Sequence, residues 1–175
     1  TSTSTTPDLP PPDALPVAAS ALAAHLGLPF HDVARLREAL VHSSYPNEHP
    51  EAGLRANERL EFLGDAVISL VISEALHARH PDEDEGQLTA RRAALVSTEA
   101  LAGFARRLGL GRHLVVGQGA ARTATRERSS VLASAFEALA AAIYLDLGLA
   151  AVPAWLLEVV AAELAHPSAA AAYLA

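Results

Sequence analysis

The feature that most constrains the fold is one long apolar segment, SSVLASAFEALAAAIYLD at residues 129–146. Alanine and leucine dominate this segment, and both residues favour a helix. We therefore predict a strongly apolar helix from about residue 130 to residue 147, ended by Gly148. Glu137 is the only charged residue of the segment before Asp146. A buried carboxylate without a partner is costly or becomes protonated, so Glu137 needs an explanation.

The composition of the whole chain agrees with an all-α fold. The 175 residues are 51% hydrophobic but only 5% aromatic, and we find no internal repeat and no alternation typical of strands. The net charge of −7 counts against a simple electrostatic binder of nucleic acid, which should be basic. It is compatible with an enzyme that holds a metal with carboxylates. The absence of cysteine excludes disulfides and thiolate metal ligands.

Three regions are expected along the chain. Residues 1–16 are rich in Ser, Thr and Pro and should form a disordered arm, residues 17–166 should form one helical domain, and residues 167–175 should be a tail. We expect no stretch that reaches the length of an apolar membrane span, and no secretory signal opens the chain. A cytoplasmic protein without membrane contact is therefore the expectation.

Capping residues, prolines and glycines divide the domain into helices and loops. Asp32 and Asn57 are predicted to cap helices, and Pro81 is predicted to end the longest one. The predicted helices cover residues 17–28, 33–41, 57–80, 87–108, 130–147 and 152–165, and the predicted loops cover residues 42–56 and 117–130.

The segment NERLEFLGDAV, residues 57–67, is the candidate site. On a helix, Glu58, Glu61 and Asp65 stand at i, i+3 and i+7, which places three carboxylates on one face. Their neighbours are mostly apolar, and like charges beside a core need a compensating charge. A hard divalent cation with oxygen ligands would supply it, and it would also compensate Glu137 if the two helices pack together. The alternative is a solvated acidic face, with Glu137 paired to an arginine.

The segment NERLEFLGDAV, followed about seventy residues later by AFEALAAAIYLD, resembles the ribonuclease III family. HSSY (42–45), DEGQL (84–88) and RAALVS (92–97) resemble further family elements in the same order. The resemblance covers roughly residues 30–150. It implies an all-α, homodimeric endonuclease domain that cuts both strands of double-stranded RNA, for example in rRNA precursors.

The resemblance also implies roles for individual residues. Glu61, Asp65 and Glu137 match acids that hold catalytic Mg²⁺, for which Mn²⁺ can substitute, and Glu58 and Glu85 match accessory acids near the scissile phosphate. The bound metal would position a water for in-line attack, which leaves 5′-phosphate and 3′-hydroxyl ends. Phe62 matches the aromatic that the family inserts into its partner subunit, although the sequence alone favours a core position.

Ser134 departs from the family pattern, which has Asp three residues before the second-helix Glu. A serine has no charge and is a poorer Mg²⁺ ligand, but Mg²⁺ keeps several waters, and Ser134 could hold one of them. We expect weakened metal binding. The alternative function is a catalytically weakened or inactive protein of this fold that binds double-stranded RNA or acts as a scaffold.

Double-stranded RNA is recognised mainly through its shape, its 2′-hydroxyls and its phosphates. Candidate phosphate contacts are arginines before the apolar helix, with two weaker candidates elsewhere, although the sequence alone favours a solvated surface charge for each of them. These candidates are Arg122, Arg126, Arg128, Arg91 and Arg92. Bacterial members of the family usually carry a C-terminal domain that binds double-stranded RNA, and residues 167–175 would begin the linker to it.

Overall fold

The computed structural model describes residues 15–118 and 122–166. This part of the chain contains ten α-helices and two short 3₁₀ turns, Pro50–Ala52 and Leu110–His113. The helices are α1 (Leu15–Leu26), α2 (Val33–Ala39), α3 (Ser44–Glu48), α4 (Glu58–Arg79), α5 (Glu85–Leu95), α6 (Thr98–Arg107), α7 (Arg122–Glu127), α8 (Ser129–Leu147), α9 (Ala151–Val159) and α10 (Ala161–Ala165). Within these two ranges the only β pairing is an isolated parallel bridge between Val41 and Val115. The all-α expectation is confirmed.

Helix α8 is the central helix. It is buried on nearly all sides and packs most extensively against α4 and α6. The ring of Phe136 lies 5.6 Å from that of Phe104 in α6 and 5.2 Å from that of Trp155 in α9, measured between centroids. Aromatic pairs at such distances add about 0.5–1.5 kcal/mol each beyond the burial of their area. The apolar segment that dominates the sequence is therefore the core of the domain.

By length and composition alone, α8 is long and apolar enough to cross a membrane, so the expectation that no stretch reaches that length was wrong. However, 61% of the apolar stretch of this helix is buried inside the protein. The core helix of a helical domain needs the same composition, because it meets apolar neighbours on every side. The helix is therefore explained by its place in the core.

Helix α4 packs one stripe of residues against α8 and the surrounding core. The buried positions recur every three or four residues, as an amphipathic helix requires. They are Leu60, Gly64, Val67, Ile68, Val71, Ile72 and Leu76. Gly64 lies where α4 comes closest to α8 and faces the backbone of Glu137. The position of this glycine sets the register between the two helices.

The helix caps agree in part with the sequence. The Asp32 side chain accepts a hydrogen bond from the backbone amide of Ala34 at 2.9 Å, as expected for the cap of α2. Asn57 precedes α4, but its side chain caps no backbone amide there. It is buried, and its amide donates instead to the carbonyl oxygen of Ala39 at 3.1 Å. Asn57 therefore ties the start of α4 to the end of α2.

The single helix predicted over residues 87–108 is in fact two helices, α5 and α6. Ser97 separates them, because its hydroxyl accepts a hydrogen bond from the amide of Ala100 and so caps α6. The first of the two helices begins with a capping box, in which Asp84 and Gln87 satisfy each other's backbone amides. A serine cap in the middle of a helical pattern was the signal that the prediction missed.

Other boundaries also differ from the prediction. The predicted loop 42–56 contains α3, since Pro46 falls in its first turn, where proline is tolerated. The predicted loop 117–130 contains α7. The predicted helix 152–165 is interrupted at Val160, where the sequence has neither glycine nor proline to mark the break. The arm predicted at residues 1–16 and the tail at 167–175 fall almost wholly outside the described residues, and both stay predictions.

Candidate metal centre and substrate cleft

Acids from α4 and α8 come together where the two helices are closest. Glu61 and Asp65 flank Gly64 in α4, and Gly64 faces the backbone of Glu137 in α8. Glu61 and Glu137 are half-buried, whereas Asp65 is exposed. The structure therefore joins the two segments that the sequence could only list separately.

The pKa of Glu137 responds both to burial and to the two acids of α4. Burial, and after it the negative charges of Glu61 and Asp65, together raise this pKa to about 7. None of the three acids forms an ion pair with an arginine or histidine in the described residues. The alternative in which Glu137 pairs with an arginine is therefore wrong. The site has unbalanced negative charge, and a cation would balance it.

The donor set fits a hard divalent cation, since carboxylate and hydroxyl oxygens are the ligands that Mg²⁺ prefers. Within residues 15–118 and 122–166, no group of three or more His, Asp or Glu side chains is placed so that it could hold a metal ion by itself. The acids of the two helices are linked instead by the electrostatic effect of Glu61 and Asp65 on Glu137. Ser134 lies three residues before Glu137 in α8 and is half-buried beside the same acids.

A cleft of about 150 Å³ opens between the first turns of α4 and α8, next to these acids. Its walls carry carboxylates from α4, hydroxyls from α8 and one imidazole from the chain before α3. They are lined by His42, Ser43, Asn57, Glu58, Glu61, Ser130, Val131 and Ser134. The accessory acid Glu58 and the substituted position Ser134 therefore lie in the same cleft as Glu61.

His42 is a residue of this cleft to which the sequence analysis assigned no role. Burial and the positive charge of Arg128 lower the pKa of His42, while Glu58 and Glu61 act in the opposite direction. The motif HSSY was noted as a family element. A single histidine next to a serine gives no sign from sequence that its ring will face acids 16 and 19 residues further along the chain.

The arginine candidates before α8 differ in their relation to the cleft. Arg128 immediately precedes α8, is exposed, and is close enough to His42 to affect its pKa. Arg126 is half-buried in α7. Arg122 begins α7, but its side chain lies outside the described residues. Of the three, Arg128 has the clearest structural link to the cleft.

The start of α8 is held by an arginine that the sequence analysis did not select. Arg106 of α6 donates hydrogen bonds to the carbonyl oxygen of Glu127 at 3.2 Å and to the hydroxyl of Ser129 at 3.1 Å. The hydroxyl of Ser129 in turn donates to Glu99. These contacts fix the turn that presents Arg128, so Arg106 has a positioning role that only the folded chain reveals.

Three other predicted site residues lie away from the acids of α4 and α8. Arg91 makes a bidentate ion pair with Glu83, with N–O distances of 2.6 and 2.5 Å, and Arg92 donates to the hydroxyl of Ser73 at 3.0 Å. Glu85 begins α5 and accepts a hydrogen bond from Thr89. Within one chain, the structure does not bring these residues to the cleft.

Phe62 is 84% exposed, so the core position favoured by the sequence alone was wrong. It lies in α4 between Glu61 and Leu63, on the side that points away from α8. Leu70, two turns further along the same helix, is also more than half exposed. Helix α4 therefore leaves two large apolar side chains exposed to solvent.

Two closely packed helices that present acids beside a polar cleft define a class of all-α domains with an acidic site. The sequence matches the family described as Ribonuclease-III-like over residues 32–164. The chain belongs to this family. It is 48% identical over 146 residues to "Ribonuclease 3" of Roseiflexus sp. (strain RS-1), an alignment that covers 82% of this chain and 62% of that protein.

Solved structures agree with the family and with the fold. The nuclease domain of ribonuclease III from Campylobacter jejuni is 33% identical and superposes with a TM-score of 0.74, covering 84% of this chain and 96% of that one. A second structure of that domain, 34% identical with a TM-score of 0.74 and covering 81% and 95%, is described as flexible in a region involved in dimer formation. The chain thus corresponds to a nuclease domain, and it spans less than two thirds of the Roseiflexus relative.

Proposed function

We propose that this chain is the catalytic domain of a divalent-metal-dependent endonuclease that hydrolyses double-stranded RNA. The observation that carries the proposal is the close contact of α4 with α8 at Gly64 and Glu137, which brings Glu61 and Asp65 toward Glu137, and the rise of the Glu137 pKa to about 7 supports it. Membership of the Ribonuclease-III-like family and the ribonucleases among the relatives support the same activity. Processing of RNA such as rRNA precursors, in the cytoplasm and without membrane contact, is the corresponding cellular role.

Glu61, Asp65 and Glu137 would hold the cation, and Ser134 would hold one of its waters. A divalent cation bound there, Mg²⁺ or Mn²⁺, would position an attacking water and stabilise the charge that develops on the phosphate. Glu61 belongs both to this acidic group and to the cleft, so a phosphate in the cleft lies beside the cation site. The products would have 5′-phosphate and 3′-hydroxyl ends.

The RNA backbone would approach the cleft over the start of α8. Arg128 supplies fixed positive charge there, and Arg126 and Arg122 of the preceding helix α7 are further candidates. Arginine suits phosphate because its planar guanidinium donates several hydrogen bonds. Arg91 and Arg92 remain weaker candidates because Glu83 and Ser73 already engage them. Contacts of this kind bind phosphate and carry no sequence information, so strong sequence specificity is not expected.

A homodimer would bring two such sites to one duplex, one for each strand. The exposed ring of Phe62 supports this assembly, since insertion into a partner would remove it from water. Glu85 and Glu58 would be accessory acids near the scissile phosphates of the assembled dimer. The similar Campylobacter domain, which has a region involved in dimer formation, supports the same arrangement.

The replacement of an acid by Ser134 is the one observation in favour of the scaffold alternative. Loss of one ligand charge lowers affinity for the cation, but Glu61, Asp65 and Glu137 remain on the two helices. The names of the relatives favour the nuclease. We therefore propose an active enzyme with a raised requirement for metal.

The test is incubation of the purified chain with a long RNA duplex over a range of Mg²⁺ and Mn²⁺ concentrations. Short duplex products with 5′-phosphates are the expected result, and single-stranded RNA and duplex DNA of the same length are the controls. Glu137→Gln should leave the duplex intact while the variant remains folded. Intact RNA with the parent chain at every metal concentration, with binding retained, would support the scaffold.

A further inference from the structure

The ring of His42 is held in one tautomer by its neighbour Ser44. The backbone amide of Ser44 donates a hydrogen bond to Nδ1 of His42 at 3.2 Å, and the hydroxyl oxygen of Ser44 lies 2.8 Å from the same nitrogen. A backbone N–H can only donate, so Nδ1 accepts. In the neutral ring the proton is therefore on Nε2, and the Ser44 hydroxyl donates to Nδ1 as well.

A second segment of the chain fixes Ser44 from the other side. The hydroxyl oxygen of Ser44 accepts a hydrogen bond from the amide of Gly117 at 2.9 Å. The backbone amide of His42 donates to the carbonyl oxygen of Val115 at 2.9 Å, next to the isolated bridge. The orientation of the His42 ring is therefore set by contacts with two separate segments of the chain.

The opposite edge of the same ring is free to bind a ligand. His42 is half-buried and lines the cleft with Glu58, Glu61 and Ser134. Nε2 forms no hydrogen bond with any described residue. It is also not one of the unpaired polar atoms that are buried, so it is accessible to solvent. A donor with a fixed direction is thus presented to the cleft, whose other walls are largely acceptors.

Carboxylates beside a phosphodiester repel it, so an oxygen of the RNA backbone in this cleft needs a donor from the protein as well as a cation. We propose that the Nε2–H of His42 donates a hydrogen bond to a backbone oxygen of the RNA, a phosphate oxygen or a 2′-hydroxyl, beside the acids of α4 and α8. This inference rests on the proposed function. It makes His42 a substrate-binding residue and Ser44 its positioning residue.

Two substitutions of His42 distinguish the role of its hydrogen-bond donor from the role of the bulk of its ring. In His42→Gln the amide nitrogen of glutamine occupies the place of Nε2 and can still donate, whereas His42→Leu keeps the bulk and removes the donor. The measurements are kcat and KM for duplex cleavage at saturating Mg²⁺, with thermal unfolding to establish that both variants fold. We expect His42→Leu to lower kcat/KM about tenfold or more, as for loss of a hydrogen bond to a charged or polar group, and His42→Gln to lower it less than about threefold.

The atom that accepts is identified with modified RNA. Duplexes with 2′-deoxy or phosphorothioate substitutions around the cleavage site are cleaved by the parent chain and by His42→Leu. The RNA modification that removes the accepting atom should slow cleavage by the parent chain. It should slow cleavage by His42→Leu little further, because that variant already lacks the donor.

The proposal is overturned if His42→Leu and the parent chain cleave equally, or if folded His42→Gln and His42→Leu are equally impaired, which would indicate a structural ring. A parent chain that fails to cleave duplex RNA would instead overturn the proposed function itself. These two failures differ, because only the second is visible without any substitution.

Discussion

Gly64 of α4 lies against the backbone of Glu137 in α8 so closely that only a hydrogen atom fits between them. A Cβ atom built at residue 64 would lie 1.8 Å from the carbonyl oxygen of Glu137 and 2.4 Å from its carbonyl carbon. Neither atom can move aside like the end of a flexible side chain. Because Glu61 and Asp65 lie in α4 close to this glycine, the same contact brings them toward Glu137, whose pKa both carboxylates raise.

Gly64→Ala should separate the two helices. The obstacle is helix backbone, so we expect a loss of about 3 kcal/mol or more in the free energy of unfolding, at the upper end of the cost of overpacking. Denaturant unfolding measures this loss, and the cleavage assay should show a matching loss of activity because the acids move apart.

Gly103→Ala is the matched control for this substitution. Gly103 also lies inside a helix, α6, but a Cβ there would meet nothing within 4 Å. Since alanine is the better helix former, we expect it to stabilise the protein by roughly 0.5–1 kcal/mol. Equal effects of the two substitutions would show that the close approach of α4 and α8 has no energetic importance.

The raised pKa of Glu137 predicts how stability depends on pH without divalent metal. The folded chain keeps a proton on Glu137 up to about pH 7, whereas the unfolded chain releases it near pH 4.5. The folded state therefore binds more protons in this window, and the contribution of Glu137 to stability falls as pH rises from about 4.5 to about 7. Thermal unfolding in the presence of a chelator measures this fall.

Glu137→Gln isolates this contribution from other titrations. His42 and His113 have lowered pKa values and act in the opposite direction, gaining stability as pH rises toward 6.5. The difference in unfolding temperature between Glu137→Gln and the parent should therefore widen in favour of the glutamine up to about pH 7. Above that pH, Mg²⁺ should narrow this difference in unfolding temperature, because it binds the folded parent and stabilises it. A difference that is constant with pH would contradict the assigned environment of Glu137.

Ser134→Asp should lower the metal requirement of the enzyme. A carboxylate three residues before Glu137 adds an oxygen ligand and a negative charge beside the cation. We expect the Mg²⁺ concentration for half-maximal cleavage to fall roughly tenfold or more. Ser130→Asp adds the same charge one turn earlier in the same cleft and serves as the control. If both variants behave alike, the effect is general electrostatics and residue 134 is not at the metal.

Phe62→Ala should weaken self-association without unfolding the chain. Because the ring is 84% exposed in a single chain, its removal should change the free energy of unfolding of the dissociated monomer by less than about 0.5 kcal/mol. Burial of such a ring in a partner would make it a major contact, so the dimer dissociation constant from sedimentation should rise at least about tenfold. Leu149→Ala, at another exposed apolar residue, is the control. A parent chain that is monomeric at micromolar concentration would contradict the proposed dimer.

Local signals in the sequence predicted much of the fold. Helix α8 and the end of α4 follow from apolar composition and from Pro81, and Asp32 caps α2 as its position predicts. Local signals were insufficient where a cap or a short helix lies inside a longer pattern. Ser97 divides the region predicted as one helix, and α3 and α7 lie in regions predicted as loops, because a few residues of turn chemistry outweigh the wider composition there.

The sequence by itself determined that Glu58, Glu61 and Asp65, at i, i+3 and i+7, share one face of a helix. It also determined that Glu137 lies in a second, apolar helix. Both conclusions depend only on neighbouring residues along the chain. The tertiary structure alone decided that these acids meet, that Phe62 is exposed, that Arg91 is paired with Glu83, and that Ser44 and Val115 orient His42. Each of these relationships joins residues that are brought together by packing. Packing depends on the shapes of whole helices, such as the gap left by Gly64, and no local pattern records it.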